Sequence, residues 1–354
     1  MKDRNFGLDL VRVFAILPVL TVHFADNAFG SIPLLVYAAG DMGVEIFYAL
    51  SGFLIGGIIL RDFADGFSWG IVRNFYVRRW MRTLPLYYLF GLVNLIVTAY
   101  GFMADPAVSW KLTAYIPFLQ NFAWPMVAPW YQESWSLAVE EWFYLLFPLI
   151  FVLIPGRSRL RIFIIALILG SVPLVLRMVA VKHSLPYDLI SRAVVYRLDA
   201  IAYGIMAVWL VTAWPEQSTY WKNVTGFLGG VGIIITALIV IGHIDIGGFA
   251  FLTFGFSLPS ASFAAIVVWA SLRDWSSWKA GGEAKIVRWI STRSYSLYLC
   301  HGTVVRYMVH GGVFHRPHME SLSFFLITSC LLAEGLYRFV ERPFMAMRRH
   351  VSRE

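Results

Sequence analysis

Apolar residues in this chain come in long runs, not in alternation. Stretches of about twenty recur from Leu8 to Val340, separated by short polar connections. A run of that length makes one helical crossing of a bilayer core about 30 Å thick. The pattern predicts ten crossings, at 8–28, 42–60, 82–102, 133–153, 162–180, 197–213, 224–242, 249–271, 289–310 and 322–340. The expected fold is all-α, a polytopic membrane protein with about ten transmembrane helices and both termini on one side. Basic residues choose that side. Lys2 and Arg4, then Arg73, Arg78, Arg79 and Arg82, then Arg157, Arg159 and Arg161, then Lys279, Lys285 and Arg288, then Arg348, Arg349 and Arg353 all fall on the face that carries the termini. The intervening loops are poor in positive charge: 29–41 has none and 103–132 only Lys111. The termini are therefore expected to be cytoplasmic.

The first run, Leu8 to Ala28, carries two groups foreign to lipid, Arg12 and His23. Ionisable residues inside a membrane segment mark functional candidates. The two lie eleven residues apart, close to three whole turns, so both project from one helix face about 16 Å apart along the axis. Pro18 between them frees the carbonyl of Phe14, which suits a kinked helix facing a cavity. Because the run keeps its charges and has no small-residue cleavage site, it reads as a retained anchor and not a signal peptide.

Composition changes little in this picture. Of 354 residues, 59% are hydrophobic and only 14% charged, and no polar block is long enough to fold alone. One membrane domain, 1–345, followed by a short basic cytoplasmic tail, 346–354, is expected. The formal charge of +8 does not indicate nucleic acid, because the basic residues sit in short loops next to lipid headgroups. Cys300 and Cys330 both fall inside apolar runs, which argues against a disulfide framework or a zinc site. His310, His315 and His318 match no metal-site spacing, and no metal is expected. The absence of a defensible internal repeat weighs against an inverted-repeat transporter.

Four stretches carry candidate chemistry. Gly43 to Ile55 holds Glu45 near the outer surface, Ser51, and Gly52, which permits close helix approach; a plain pairing helix explains it as well. Phe75 to Pro85 carries Arg78, Arg79 and Arg82 on a cytoplasmic loop, an anion site suited to phosphates, with headgroup contact as the ordinary alternative. Glu133 to Tyr144 stacks Ser136, Glu140 and Tyr144 at four-residue spacing below the outer surface, and Glu141 cannot share that face. Ser294 to His301 places a second imidazole at mid-membrane, where a packed histidine is the ordinary case. Counted from the expected helix ends, His23 and Glu140 both fall in the outer half. Outer Lys182, Arg192 and Arg197 read as a solvated loop or as contacts to an acidic or sugar ligand. The aromatic and proline-rich 103–132, with Trp110, Trp124, Pro129, Trp130 and Tyr131, reads as a lid or interfacial loop.

In order, Leu8-Asp9-Leu10-Val11-Arg12 with His23, Gly43 to Ile55, Tyr76 to Pro85, Leu119-Gln120-Asn121-Phe122, Trp135 to Pro148, Arg197-Leu198-Asp199-Ala200, Ser294 to His301 and Val340 to Phe344 resemble the acyltransferase-three family of integral membrane acyltransferases. That family includes bacterial O-acetylases of lipopolysaccharide and peptidoglycan. Departures are Leu10-Val11 before Arg12, Glu45 in place of Asp, and Cys300 in place of an aromatic. The resemblance implies binding of an acyl-CoA, acetyl-CoA first among them, from the cytoplasm, with Arg12, Arg78, Arg79 and Arg82 at the donor. It implies His23 as general base or transient acyl carrier, with Glu140 orienting the imidazole or the acceptor. Asp9, Glu45, Ser51, Asn121, Trp135, Arg197, Asp199, Tyr298 and His301 would support the site or bind the acceptor.

The expected function is therefore transfer, in a cell inner (cytoplasmic) membrane, of an acetyl or similar short acyl group from acyl-CoA to a hydroxyl of a cell-envelope or exported glycan. Arg177 or Arg192 would suit an acidic acyl chain or an acidic sugar. Because the chain ends soon after its last crossing, transfer is expected to finish in the membrane domain or on a partner. The competing reading is a proton-coupled transporter or flippase using His23 and Glu140 as a relay.

Overall fold

The computed structural model describes residues 4–64, 66–99, 110–123, 125–126, 131–279, 281–315 and 318–351. Lys2, Arg353, the stretch 100–109, Trp124, Pro129 and Trp130 lie outside them. The described chain is a helical bundle: α1 (Phe6–Phe29), α2 (Leu34–Asp62), α3 (Trp69–Ala99), α4 (Ser134–Leu153), α5 (Ser158–Lys182), short α6 (Tyr187–Arg192), α7 (Leu198–Ala213), α8 (Ser218–Val240), α9 (Gly247–Phe254), α10 (Ser257–Leu272), short α11 (Ser276–Lys279), α12 (Glu283–His310), α13 (His318–Leu336) and α14 (Arg342–Val351). Each expected crossing finds a helix. Seven of these helices are long and apolar enough to cross a membrane unaided, and α9 with α10, bent by 41°, makes an eighth. Of the others, α7 has only 16 residues and α12, at 28 residues, carries Lys285, Arg288, Arg293 and Arg306. The protein is an all-α, multi-pass membrane protein.

Three boundaries differ most from the pattern. Helix α2 starts at Leu34, directly after Pro33, whose fixed φ suits a helix start. Helix α3 starts at Trp69, so Arg73, Arg78, Arg79 and Arg82 lie on helix and not on a loop. A helix saturates its own backbone and needs no apolar environment to continue past the membrane, so hydropathy alone places its end too early. The tenth crossing likewise runs on through a π-helical turn at Tyr337–Glu341 into α14, making the expected basic tail helical as far as Val351.

Small residues and ion pairs set how the helices meet. A Cβ on Gly52 would lie 2.0 Å from the carbonyl oxygen of Ile201, and one on Gly204 would lie 2.1 Å from that of Ala49, so α2 and α7 touch backbone to backbone. Glu45 of α2 accepts from Arg197, at the start of α7, and from Ser260 of α10 at 2.5 Å. Arg177 of α5 is fully buried and donates to both oxygens of Asp199 (3.0 and 2.6 Å), to Ser257, and to the carbonyls of Thr253 and Tyr196. Glu45, Arg177, Arg197 and Asp199 thus each have an interhelical partner, as a low-dielectric interior demands.

The described part of the expected lid, from the 3-10 turn Trp110–Tyr115 to Met126, is stitched over the start of α4. Gln120 donates to the carbonyl of Ser134 (3.2 Å), and Asn121 to those of Trp135 (3.0 Å) and Arg192 (2.8 Å). Its consequence is depth, since the first turn of α4 is buried and does not reach the surface.

Gly204→Leu should lower the thermal unfolding midpoint of the detergent-purified protein by the equivalent of about 1–3 kcal/mol or more, because backbone atoms on α2 cannot make room. An unchanged midpoint would show that α2 and α7 do not pack this closely.

Candidate active site

Three cavities lie in line along the bundle and share walls. At the end that carries both termini, Arg61, Arg78, Arg79, Arg82 and Arg348 surround a recess floored by Ile58 and Phe75. Arg78 is tied to Asp62, whereas Arg79 and Arg82 line this recess and also the next cavity inward. Five guanidinium groups in one recess create an anion site of the kind that holds several phosphate oxygens.

The inner cavity, about 100 Å³, is bounded by Arg12, Arg79 and Arg82 at one end and Tyr298 at the other. Hydroxyl groups of Tyr48, Ser51, Thr83, Ser136, Tyr144 and Ser294 face it among leucines and Phe47. Glu140 lies here, accepting from Ser51 at 2.8 Å and from Tyr144 at 3.0 Å, with the Arg79 guanidinium 5.3 Å from the Tyr144 ring centre. Arg12 is held by Asp9 at 3.1 Å; Asp9 also accepts from Arg4 and from Ser291 at 2.7 Å, which pins the start of α1 to α12. Walled by hydroxyl groups and apolar side chains together, this space is too small for a nucleotide.

Val44 and Tyr298 form the partition to the outer cavity, about 380 Å³, which contains His23. The His23 ring meets that of His301 edge to face, centroids 4.9 Å apart. His301 is fully buried; its Nδ1 lies 3.1 Å from the carbonyl oxygen of Leu297, and its Nε2 has no hydrogen-bond partner among the described residues. Below the imidazoles, Glu133 pairs with Arg306 (3.0 Å), which also donates to Asn94 at 2.8 Å. The carboxylate fits only because residue 302 is glycine, where a Cβ would fall 1.4 Å from Glu133 Oε1. Asp26, one turn beyond His23, and Asp41 complete the acidic lining, with Trp135 and Arg192 on the far wall.

Arg12 and His23 do share one face of an unbroken α1, each opening into its own cavity. Glu140 does not join His23. Counting from the expected helix ends places both in the outer half, but the start of α4 is buried, so that Glu140 lines the inner cavity and Glu133 the outer one beside the imidazoles. Trp135, Tyr298 and His301 stand at the outer cavity. Glu45, Arg197 and Asp199 are tied up in the α2, α7 and α10 pairs, Asn121 caps the buried turn of α4, and Arg177, with its donors engaged, has no side chain to offer an acidic ligand. Sequence reasoning passed over Glu133, Arg306 and Asp41. Their signal was present, since Arg306 is a charge in an apolar run and Glu133 precedes the buried turn. Among the described residues no group of three His, Cys, Asp or Glu is placed to hold a metal.

A family model described as an acyltransferase domain matches residues 5–333, and the chain belongs to that acyltransferase family. Among similar proteins, the Bacillus subtilis (strain 168) protein named "Putative peptidoglycan O-acetyltransferase YrhL" is 27% identical over 373 residues, covering 95% of this chain and 54% of its own length. "O-acetyltransferase OatA" of Staphylococcus aureus (strain NCTC 8325 / PS 47) is 25% identical over 377 residues, covering 95% of this chain and 56% of its own. The chain thus spans about half the length of the curated relatives it matches. No solved structure matches it.

Replacing Arg306 by Met leaves Glu133 buried without its counter-charge and should cost about 3–5 kcal/mol of stability, part of which Glu133→Gln restores in the double variant. Unfolding of the three variants in one detergent checks this; equal, additive losses would mean the pair is not coupled.

Proposed function

We propose that the protein is an O-acyltransferase of a cell inner membrane, which moves an acetyl or similar short acyl group from cytoplasmic acyl-CoA to a hydroxyl of a cell-envelope glycan. The observation that carries this reading is that the cavities share walls: Arg79 and Arg82 belong to both the basic recess and the inner cavity, and Val44 and Tyr298 to both the inner and the outer one. Family membership and O-acetyltransferase relatives supply the reaction class. In this reading the basic end is cytoplasmic, as the positive-inside rule expects.

The donor's phosphates rest on Arg78, Arg79 and Arg82, with Arg61 and Arg348 closing the recess. Its thiol arm lies along the hydroxyl-lined cavity past Ser51 and Arg12, and its acyl carbon comes to rest beyond Tyr298 beside His23. The acceptor oxygen attacks that carbon, His23 takes the hydroxyl proton, the C–S bond breaks and the leaving thiolate is protonated. Two half-reactions through an acyl-imidazole balance equally well, with the acyl group first on a His23 nitrogen and then on the acceptor oxygen. Glu133 offsets the positive charge that develops on the imidazole, and Arg306 holds Glu133 in place. Glu140 acts on the donor side, where its bonds to Ser51 and Tyr144 orient the groups that flank the arm.

Purified protein should release free thiol from acetyl-CoA in the presence of an envelope glycan extract, and His23→Ala should slow that release at least about a hundredfold. Arg79→Ala and Arg82→Ala should each raise the KM for acetyl-CoA about tenfold, with a smaller change in kcat and a reduced salt dependence. Folded protein that releases no thiol from any acyl-CoA, while an unmodified glycan crosses reconstituted membranes, would overturn the enzyme reading in favour of a transporter.

A further inference from the structure

His23 and His301 both line the outer cavity, and direct transfer through His23 makes use of one imidazole alone. His301 of α12 is fully buried, and its surroundings fix its tautomer. Its Nδ1 lies 3.1 Å from the carbonyl oxygen of Leu297, one turn back on the same helix. A carbonyl oxygen only accepts, so Nδ1 carries the hydrogen and Nε2, across the ring, keeps a lone pair. That Nε2 has no hydrogen-bond partner among the described residues. A histidine buried for packing alone satisfies both ring nitrogens, whereas this one is left wanting a donor in the wall of a cavity. Tyr298 does not supply it: its ring lies 5.7 Å from the His301 ring, but its hydroxyl is taken up by Ser136 at 2.5 Å and the Glu133 carbonyl at 3.3 Å. The Glu133 carboxylate, engaged by Arg306, packs against Gly302, the residue after His301, so a negative charge stands next to an imidazole that gains a proton.

We propose that the two histidines divide the reaction: His23 carries the acyl group, and His301 is the catalytic base that takes the acceptor's hydroxyl proton. The proposal rests on the acyltransferase reading and commits it to the covalent route. That route needs a second base, because a ring nitrogen that bears an acyl group has spent its lone pair and leaves its neighbour too weak a base for a hydroxyl proton. His301, whose ring meets that of His23 edge to face at 4.9 Å, stands where such a base is required. In the first half-reaction a His23 nitrogen attacks the thioester carbon and the C–S bond breaks. The departing thiolate takes the proton from the other His23 nitrogen, leaving a neutral acyl-imidazole and a free thiol. In the second, the acceptor hydroxyl gives its proton to His301 Nε2 while its oxygen attacks the acyl carbon. The C–N bond breaks, its electron pair returns to His23, and the proton passes from His301 to that nitrogen. Both imidazoles end neutral.

The test separates the half-reactions. Detergent-purified protein is mixed with acetyl-CoA alone and then with an envelope glycan extract, while thiol release is followed through the first turnover and intact mass after rapid quench reports acetylated protein. Wild type should give a stoichiometric burst of thiol before the extract is added, and His23→Ala should abolish it. His301→Gln, which keeps a polar head but cannot take a proton, should keep the burst and slow the extract-dependent phase at least about a hundredfold, so that acetylated protein accumulates. One check needs no variant: in wild type the extract-dependent phase should be slower in heavy water, and equal rates in heavy and ordinary water would overturn the proposal. A folded His301→Gln protein that loses burst and turnover together, or that turns over as fast as wild type, overturns it as well, with His301 then a packing residue. Wild type that releases thiol with extract but shows no burst overturns the covalent route while the acyltransferase reading stands. No thiol release under either condition overturns that reading itself.

Discussion

A polar group inside a bilayer has no water to satisfy it, and that single constraint orders this bundle. Arg177 finds Asp199, Arg197 finds Glu45, Arg306 finds Glu133, and Arg12 finds Asp9, each across two helices except the last, which lies within α1 and is joined by Ser291 of α12. These pairs do not add much net stability over apolar packing of the same shape, but breaking one leaves a charge stranded, so they act as register pins. With α2, α5, α7 and α10 pinned together on one side and α1, α4 and α12 on the other, the space between α1, α2, α4 and α12 is left to the cavities.

Function follows from which groups the pins leave over. The inner cavity keeps Arg79 and Arg82 facing a run of hydroxyls, and the outer one keeps two imidazoles above a paired carboxylate. Tyr298 belongs to both and bonds Ser136 at 2.5 Å, so a hydrogen-bonded side chain marks the boundary between the inner and outer cavities. A cation-lined end and an imidazole-bearing end that meet at Val44 and Tyr298 is the arrangement that the proposed transfer, from a donor on one membrane side to a hydroxyl on the other, requires.

The helix count, the Arg12 and His23 face, and the close approach at Gly52 were legible because each depends on local periodicity or on one residue's size. Depth was not. His23 stands six residues before the end of α1 and Glu140 six residues after the start of α4, which reads as the same level if both ends lie at the surface. They do not, because Gln120 and Asn121 cover the first turn of α4, and those long-range bonds leave no trace in hydropathy. The same limit hid the helical start of α3, where arginines that look like loop residues belong to a helix extended past the lipid. The partners of Glu45, Arg197 and Asp199 were hidden for a related reason, since Ser260 and Arg177 come from distant helices that hydropathy does not bring together.

The central claim is that one donor molecule spans from the arginine recess to His23. A cryo-EM structure with a non-transferable thioether analogue of acetyl-CoA tests it most directly. The account predicts phosphate density against Arg79 and Arg82, with the analogue's arm passing Ser51 and its acyl carbonyl beyond Tyr298 beside His23. Density for the nucleotide at the His23 end, or an arm that stops on the arginine side of Tyr298 in a catalytically competent complex, would contradict it.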